Sequence, residues 1–186
     1  MKLIGLSGYA GSGKDEAAQA LLKDGWERVS FADVLREVAY AIDPYVDTSP
    51  NSHSPPNFER LSLVIDGFGW DFAKNRFPDI RRLLQRLGTE GGRSILGEDI
   101  WVDTAFSRSA GYTHRVFTDV RFPNEADRIL DEGGTLVRIK RPGVGPVNGH
   151  TSDNALEDYA FDYVIHNTGS LADLHQKIRE IAHEGS

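Results

Sequence analysis

The chain has 186 residues, 39% hydrophobic and 10% aromatic, which suits one core-forming domain, or one with a small insertion, and excludes wholesale disorder or a fibrous repeat. With 28 acidic and 21 basic residues its net charge is -7, so bulk binding to a phosphate polymer is disfavoured, although a local basic pocket for one small phosphorylated molecule is compatible with it. The absence of cysteine excludes disulfides, thiolate zinc sites and a cysteine nucleophile, and no apolar run reaches the ~18 residues of a membrane span.

In chain order, Lys2–Ser7 reads as an apolar strand, too short for a secretory signal, that runs into a glycine-rich loop over residues 8–13. Residues 14–23 are expected to be helical, with Ala17, Ala18, Leu21 and Leu22 on one face. Residues 26–31 alternate as a second strand, and 34–42 read as a helix with Asp33 as candidate cap. Residues 43–57, rich in Pro, Ser and Asn, read as a long exposed loop. Helices are expected over 58–75 and, after Pro78, over 79–87. The glycine-rich stretch 88–99 is expected to be irregular and 100–109 helical. A third strand over 115–119, a helix over 124–132 ended by Gly133-Gly134, and a fourth strand over Thr135–Lys140 follow. A Gly/Pro loop over 142–154 holds His150. Tyr163–His166 is a fifth strand, and 171–183 a closing helix with Ser170 as candidate cap. Strands alternating with helices argue for an α/β fold with a parallel sheet covered on both faces.

The sharpest motif is Gly8-Tyr9-Ala10-Gly11-Ser12-Gly13-Lys14-Asp15, which has the P-loop spacing G-x-x-x-x-G-K between a strand and a helix. Glycines let backbone N–H groups turn around phosphate oxygens, the helix N-terminus adds its dipole, and Lys14 supplies a point charge. Asp15 stands where a Ser or Thr hydroxyl usually ligates Mg²⁺. A carboxylate there either holds the metal, directly or through water, or favours the helix N-terminus electrostatically.

Arg76, Arg81, Arg82, Arg86 and Arg93 crowd a short stretch, either as forks for phosphate or as a solvated helix face. Trp101 is suited to stack on a base or to fill a core. Asp119, Arg121 and Glu125 follow the third strand, where open parallel sheets bind ligands, while Asn124 and Glu125 also fit the start of the next helix. Arg138, Lys140 and Arg141 lead from the fourth strand into the Gly/Pro loop. The six histidines show no metal-ligand spacing.

The blocks GLSGYAGSGKD, FADVLRE, LLQRLGTEGGR with DIWVD, TDVRFPNEA followed by GGTLVRIKRP, and HTSDNALEDYAFDYVIHNTGSLADL together resemble bacteriophage-type deoxynucleoside monophosphate kinases of the P-loop superfamily. The resemblance covers residues 3 to about 178, and its G-K-D form is typical of that family. It implies a single P-loop kinase domain over 1–186, with a five-stranded parallel sheet in order 2-3-1-4-5, an acceptor-closing helical insertion over 43–78 and a lid-like loop over 141–154. It implies transfer of the γ-phosphoryl of ATP, with Mg²⁺, to a deoxynucleoside 5'-monophosphate by direct in-line displacement.

By matched motif, Lys14, Asp119 and Arg121 would be catalytic. Gly11, Ser12, Gly13, Lys14, Asp15, Glu16, Arg138 and Arg141 would bind ATP, with Asp15 at the metal. Leu35, Arg36, Gln85, Arg93, Trp101, Asp119, Arg121 and Glu125 would meet the acceptor. Some relatives carry a basic residue at the position of Gly11 and Thr at that of Glu16, with Arg36 or Arg93 as substitutes here. The implied partners are small nucleotides, with neither a nucleic-acid polymer nor a membrane. A homodimer is allowed, and the implied location is the cytoplasm, that of the host for a phage protein. The alternatives are a P-loop kinase of another phosphorylated small molecule and a non-catalytic nucleotide-binding module. A GTPase switch lacks support because no N-K-x-D motif is present.

Overall fold

The computed structural model describes residues 2–49, 54–145 and 155–184. Its elements are β1 (Lys2–Ser7), α1 (Lys14–Lys23), β2 (Glu27–Val29), α2 (Phe31–Ile42), β3 (Tyr45–Asp47), β4 (Phe58–Arg60), α3 (Leu61–Arg76), α4 (Pro78–Arg86), a π-helix (Leu87–Leu96), α5 (Ile100–Arg108), β5 (His114–Phe117), α6 (Pro123–Asp131), β6 (Thr135–Lys140), β7 (Tyr163–His166) and α7 (Leu171–Glu184). They group into two compact units, one of Met1–Phe31 with Val102–Ser186 and one of Ala32–Trp101. The second unit extends beyond the expected 43–78 insertion at both ends. No described helix is long and apolar enough to cross a membrane.

The first unit is built on a five-stranded sheet in the order β2-β5-β1-β6-β7, every pair parallel. Counted along the chain, these strands stand in the order 2-3-1-4-5. β1 is central, and its run of apolar residues follows from being covered on both faces. On one face Ile4, Leu6, Val137 and Ile139 pack with Ala17 and Leu21 of α1 and with Leu174 and Ile178 of α7. The other face admits α6 closely at Gly5, where a Cβ would lie 2.6 Å from Ile129 Cδ1 and 2.9 Å from Leu136 Cδ2. Phe117 of β5 anchors the same unit, with the Phe106 ring centroid at 4.7 Å and that of Phe31 at 4.9 Å.

The second unit has its own core of Ala39, Val46, Leu61, Val64, Ile65, Ala73, Phe77 and Ile80. Two expectations are corrected here. Residues 43–57 are not a plain loop, and Phe58–Arg60 are not helical: β3 and β4 pair antiparallel, Tyr45 opposite Arg60 and Asp47 opposite Phe58. Three-residue strands are too short to show a period, and pairing across the chain decides them. Asp47 accepts the N–H groups of Ser49 at 2.9 Å and Asn57 at 3.1 Å, and the bonds from Ser49, then Asn57, hold its carboxyl below the usual range. Residues 50–53 of that stretch lie outside the described residues. α3 bends at Gly69, whose φ of 74° and ψ of 161° interrupt the helix.

The stretch expected to be irregular after α4 instead forms the π-helix over Leu87–Leu96. Gly92 lies so close to the Trp101 ring that a Cβ there would sit 2.3 Å from Cζ2. The Trp101 indole N–H donates to the Gly88 carbonyl at 2.8 Å.

Helix starts also differ from the sequence expectation. The second strand ends at Val29, because buried Phe31 already opens α2 two residues before Asp33. Asn124 does not cap α6. Phe122 occupies that position and Pro123 follows as the first helical residue. Ser170 does cap α7: its Oγ accepts the Asp173 N–H at 3.2 Å, and Asp173 accepts the Ser170 N–H at 2.7 Å.

Candidate active site

The glycine-rich loop joins the carboxyl end of central β1 to α1, the position where open parallel sheets bind ligands. Gly8 has φ +145°, and a Cβ there would meet the Ile139 carbonyl oxygen at 2.4 Å, so the loop can lie against β6 only with glycine at this point. Gly13, at φ 106°, ends the loop and begins α1 without a side-chain cap bond. The first N–H groups of a helix that begins so are open to an anion, and the helix dipole favours one there. Lys14 Nζ donates to the carbonyls of Gly8 at 2.6 Å and Tyr9 at 2.9 Å, which holds the ammonium against the loop. Ser12 is buried, and its Oγ has no hydrogen-bond partner among the described residues. Asp15 and Glu16 stand exposed in the first turn of α1.

The end of β6 closes on this loop. Arg141 Nη1 donates to the Gly11 carbonyl at 3.4 Å. Arg138 is buried and is engaged elsewhere. Its Nη1 donates to the carbonyls of Leu156 at 2.7 Å and Glu157 at 3.0 Å, and its guanidinium lies 5.4 Å from the Phe161 centroid. Arg138 thus pins the segment before β7. Two further bonds hold that segment: the Leu136 N–H donates to Asp162 at 2.7 Å, and the Tyr159 hydroxyl donates to Asp127. Burial, then the Asp127 bond and the nearby carboxylates, push the Tyr159 phenol up to about 12. Between β6 and this segment lies a cavity of about 360 Å³, walled by Tyr9, Arg138, Lys140, Arg141, Pro142, Val144, Glu157 and His166. Of the expected lid-like loop 141–154, residues 146–154, His150 included, lie outside the described residues.

Asp119 lies two residues past β5. Its Oδ2 accepts the Ser30 hydroxyl at 2.8 Å and its Oδ1 the Phe31 N–H at 3.0 Å. The carboxylate therefore closes the N-terminus of α2, the role that the sequence pattern suggests for Asp33. Glu125 is buried and reaches back from the first turn of α6 to accept the N–H groups of Arg121 at 2.7 Å and Phe122 at 3.1 Å. Its carboxylate orients the turn that carries Arg121, whose own side chain is exposed.

The second unit carries Leu35, Arg36, Gln85, Arg93 and Trp101. Leu35 and Gly88 pack closely, and a Cβ at Gly88 would stand 3.2 Å from Leu35 Cδ2. Arg36 bonds Asp33 at 3.3 Å and lies 3.8 Å from Asp71. Gln85 is exposed near the end of α4, and Arg93 is half-buried on the π-helix. Trp101 is buried against Gly92, so it offers no exposed ring for stacking. The arginine cluster is also largely occupied. Arg82 pairs with Asp79, Arg86 bonds Glu90 at 3.1 Å and Arg81 bonds Asn75 at 3.2 Å. A solvated helix face, ion-paired at Arg82 and Arg86 and hydrogen-bonded at Arg81, explains these three better than phosphate forks.

Asn167 escapes the sequence reading. It follows β7, donates its side-chain Nδ2–H to the Ser12 carbonyl at 2.9 Å and its main-chain N–H to the Lys140 carbonyl at 2.8 Å. The only local signal is a polar residue between a strand end and a helix cap, which is common in such connections. No group of three or more His, Asp and Glu residues that could hold a metal exists among the described residues.

The sequence profile of the family described as deoxynucleotide monophosphate kinase matches residues 71–178. The deoxynucleotide monophosphate kinase of Escherichia phage RB69 is 31% identical, the match covering 97% of this chain and 99% of that one. The putative deoxynucleotide monophosphate kinase of Acanthamoeba polyphaga mimivirus is 28% identical over 96% of this chain and 94% of its own. The deoxynucleoside-5'-monophosphate kinase of Escherichia phage T5 is 27% identical over 74% of this chain and 77% of its own.

Proposed function

Because the chain belongs to the deoxynucleotide monophosphate kinase family, we propose that it transfers the γ-phosphoryl group of ATP to a deoxynucleoside 5'-monophosphate, giving the diphosphate and ADP. The observation that carries this reading is the loop from Gly8 to Lys14, with α1 opening on Gly13 and the Lys14 ammonium held against it. Such a cradle suits a polyphosphate.

Gly11, Ser12, Gly13 and Lys14 bind the phosphates of ATP, and Arg141, already at the Gly11 carbonyl, neutralises charge beside them. The cavity walled by Tyr9 and Arg141 receives the remainder of the donor nucleotide. Arg138 shapes that cavity through the carbonyls it holds. Mg²⁺ fits the donor chemistry of Asp15, an exposed carboxylate in the first turn of α1. Asp15 would hold the ion, which would supply charge neutralisation on the phosphates. Glu16 adds a second carboxylate to that turn.

Arg121 meets the acceptor phosphate from a turn that Glu125 holds rigid. Leu35, Arg36, Gln85 and Arg93 contribute the acceptor contacts of the second unit. The acceptor oxygen is already anionic at neutral pH, so transfer needs positioning and charge stabilisation more than a base. One bond forms between that oxygen and the γ-phosphorus as the bond to the β-bridging oxygen breaks, with no covalent enzyme intermediate.

The test is acceptor-dependent ADP release from Mg·ATP with dAMP, dGMP, dCMP, dTMP and the ribo-forms in turn. Turnover on one or more deoxy forms establishes the reading and names the substrate. Silence across the panel with ATP still bound overturns it in favour of another phosphorylated acceptor or a binding module.

A further inference from the structure

Asn167 joins three parts of the first unit that are far apart in sequence. Its main-chain N–H extends the pairing of β6 and β7 by bonding the Lys140 carbonyl at 2.8 Å. Its carboxamide donates to the Ser12 carbonyl, 155 positions away, at 2.9 Å. The residues behind it are tightly turned. The Thr168 N–H donates to the His166 carbonyl at 3.0 Å, and Ser170 and Asp173 exchange bonds at the start of α7. A Cβ on Gly169 would fall 2.4 Å from Asp173 Oδ2, the oxygen that accepts the Ser170 N–H.

The consequence lies in the geometry of one peptide unit. No peptide bond among the described residues is cis. In a planar trans peptide the C=O and the following N–H point in opposite directions. With the Ser12 carbonyl held toward Asn167, the Gly13 N–H points away from it. Gly13 is also the residue whose Cβ, if present, would lie 2.6 Å from Asn167 Nδ2, so glycine at 13 and the amide at 167 fit as a pair. An N–H that must serve an anion gains most from being oriented before the anion arrives, because no reorganisation is then needed on binding.

We infer that Asn167 is a positioning residue of the phosphate loop, its carboxamide turning the Ser12–Gly13 peptide so that the Gly13 N–H faces the polyphosphate of the donor nucleotide. The inference rests on the P-loop of the proposed function and adds a residue that no motif of that loop contains. It acts through the peptide and touches no reacting atom. A carboxylate at 167 would lose the donor, repel the Ser12 carbonyl and add negative charge behind the loop, whereas alanine would only release the peptide.

The experiment uses the full chain with Asn167→Asp and Asn167→Ala. Calorimetry measures binding of inorganic tripolyphosphate, ATP and adenosine, alongside thermal midpoints and the KM for each substrate. Asn167→Asp is expected to weaken tripolyphosphate and ATP about tenfold or more, and Asn167→Ala by a smaller factor in the same direction. Adenosine affinity and the monophosphate KM should stay within about twofold, and the midpoint within a few degrees. Tripolyphosphate affinity unchanged in both variants overturns the inference. So do losses of equal size for all ligands that track a fallen midpoint, or failure of both variants to fold, since each marks a purely structural amide. A parent protein that phosphorylates no monophosphate but loses tripolyphosphate binding on Asn167→Asp retains the inference and refutes the kinase reading.

Discussion

Asp119 Oδ1 accepts the Phe31 N–H at 3.0 Å, so a carboxylate just past β5 seals the first turn of α2, a helix that begins 88 positions earlier in the chain. The same carboxylate takes the Ser30 hydroxyl at 2.8 Å. A residue expected from its strand-end position and from the resemblance to be catalytic acts in the structure as a helix cap. Asp119→Ala should lower unfolding free energy by about 2 kcal/mol, the scale of stranding two donors, and Asp119→Asn by less than about 1 kcal/mol, since an amide oxygen still accepts from Phe31. Chemical denaturation of both variants checks the order. A midpoint unchanged in Asp119→Ala would remove the cap. Turnover lost in a well-folded Asp119→Asn would separate a chemical role from the structural one.

Lys14→Ala should reduce turnover by at least about two orders of magnitude, the scale of removing one electrostatic stabiliser, while the thermal midpoint moves little. Arg121→Ala should raise the KM of the monophosphate more than that of ATP, because Arg121 stands on the β5–α6 turn and not on the phosphate loop. Steady-state kinetics with each substrate varied in turn decides both. Near-parent turnover in folded Lys14→Ala, or equal KM changes in Arg121→Ala, would contradict these placements.

Trp101 approaches the π-helix closely at Gly92. With its Cβ 2.3 Å from the Trp101 ring, Gly92→Ala must displace an indole that also bonds the Gly88 carbonyl. Overpacking of this kind costs about 1–3 kcal/mol. Trp101→Phe should cost about 1 kcal/mol through the lost indole bond, apart from any loss of packing. Thermal unfolding of the two variants checks this. An unaltered Gly92→Ala would mean the indole has room to move.

Tyr159 sets an alkaline limit. Its phenol is raised to about 12 in the folded chain by burial and the Asp127 bond, against 10.0 for the exposed group. The folded state therefore holds this proton more tightly, and the associated stability is complete below pH 10 and lost as pH rises through 12. At one pKa unit per ~1.4 kcal/mol, reduced by solvent screening, the loss is no more than about 2 kcal/mol. Denaturation midpoints between pH 9 and 12 should fall more steeply for the parent than for Tyr159→Phe. Parallel curves would show that the phenol does not couple to folding.

The glycine-rich loop between β1 and α1 was legible because everything that makes it is adjacent in sequence: a strand, glycines at set spacing, a lysine and a helix. The start of α7 was legible for the same reason, since Ser170 and Asp173 are three apart and complete their cap locally. The π-helix was hidden by its glycines, which read as a break until Trp101 packs on Gly92. β3 and β4 were hidden by their shortness.

Local pattern determined the alternation of strands and helices in the first unit, the sheet class and the glycine-rich loop before α1, because each follows from periods and turn chemistry within a few residues. The three-dimensional fold alone decided which polar side chains are occupied and which are presented. Arg138 looks like a phosphate ligand until its fork closes on Leu156 and Glu157. Asn167 looks like a connector until Ser12 comes beside it. A hydrogen bond depends on a distance of about 3 Å and a direction, and only the folding of β1, β6 and β7 side by side brings residues so remote in the chain within that reach.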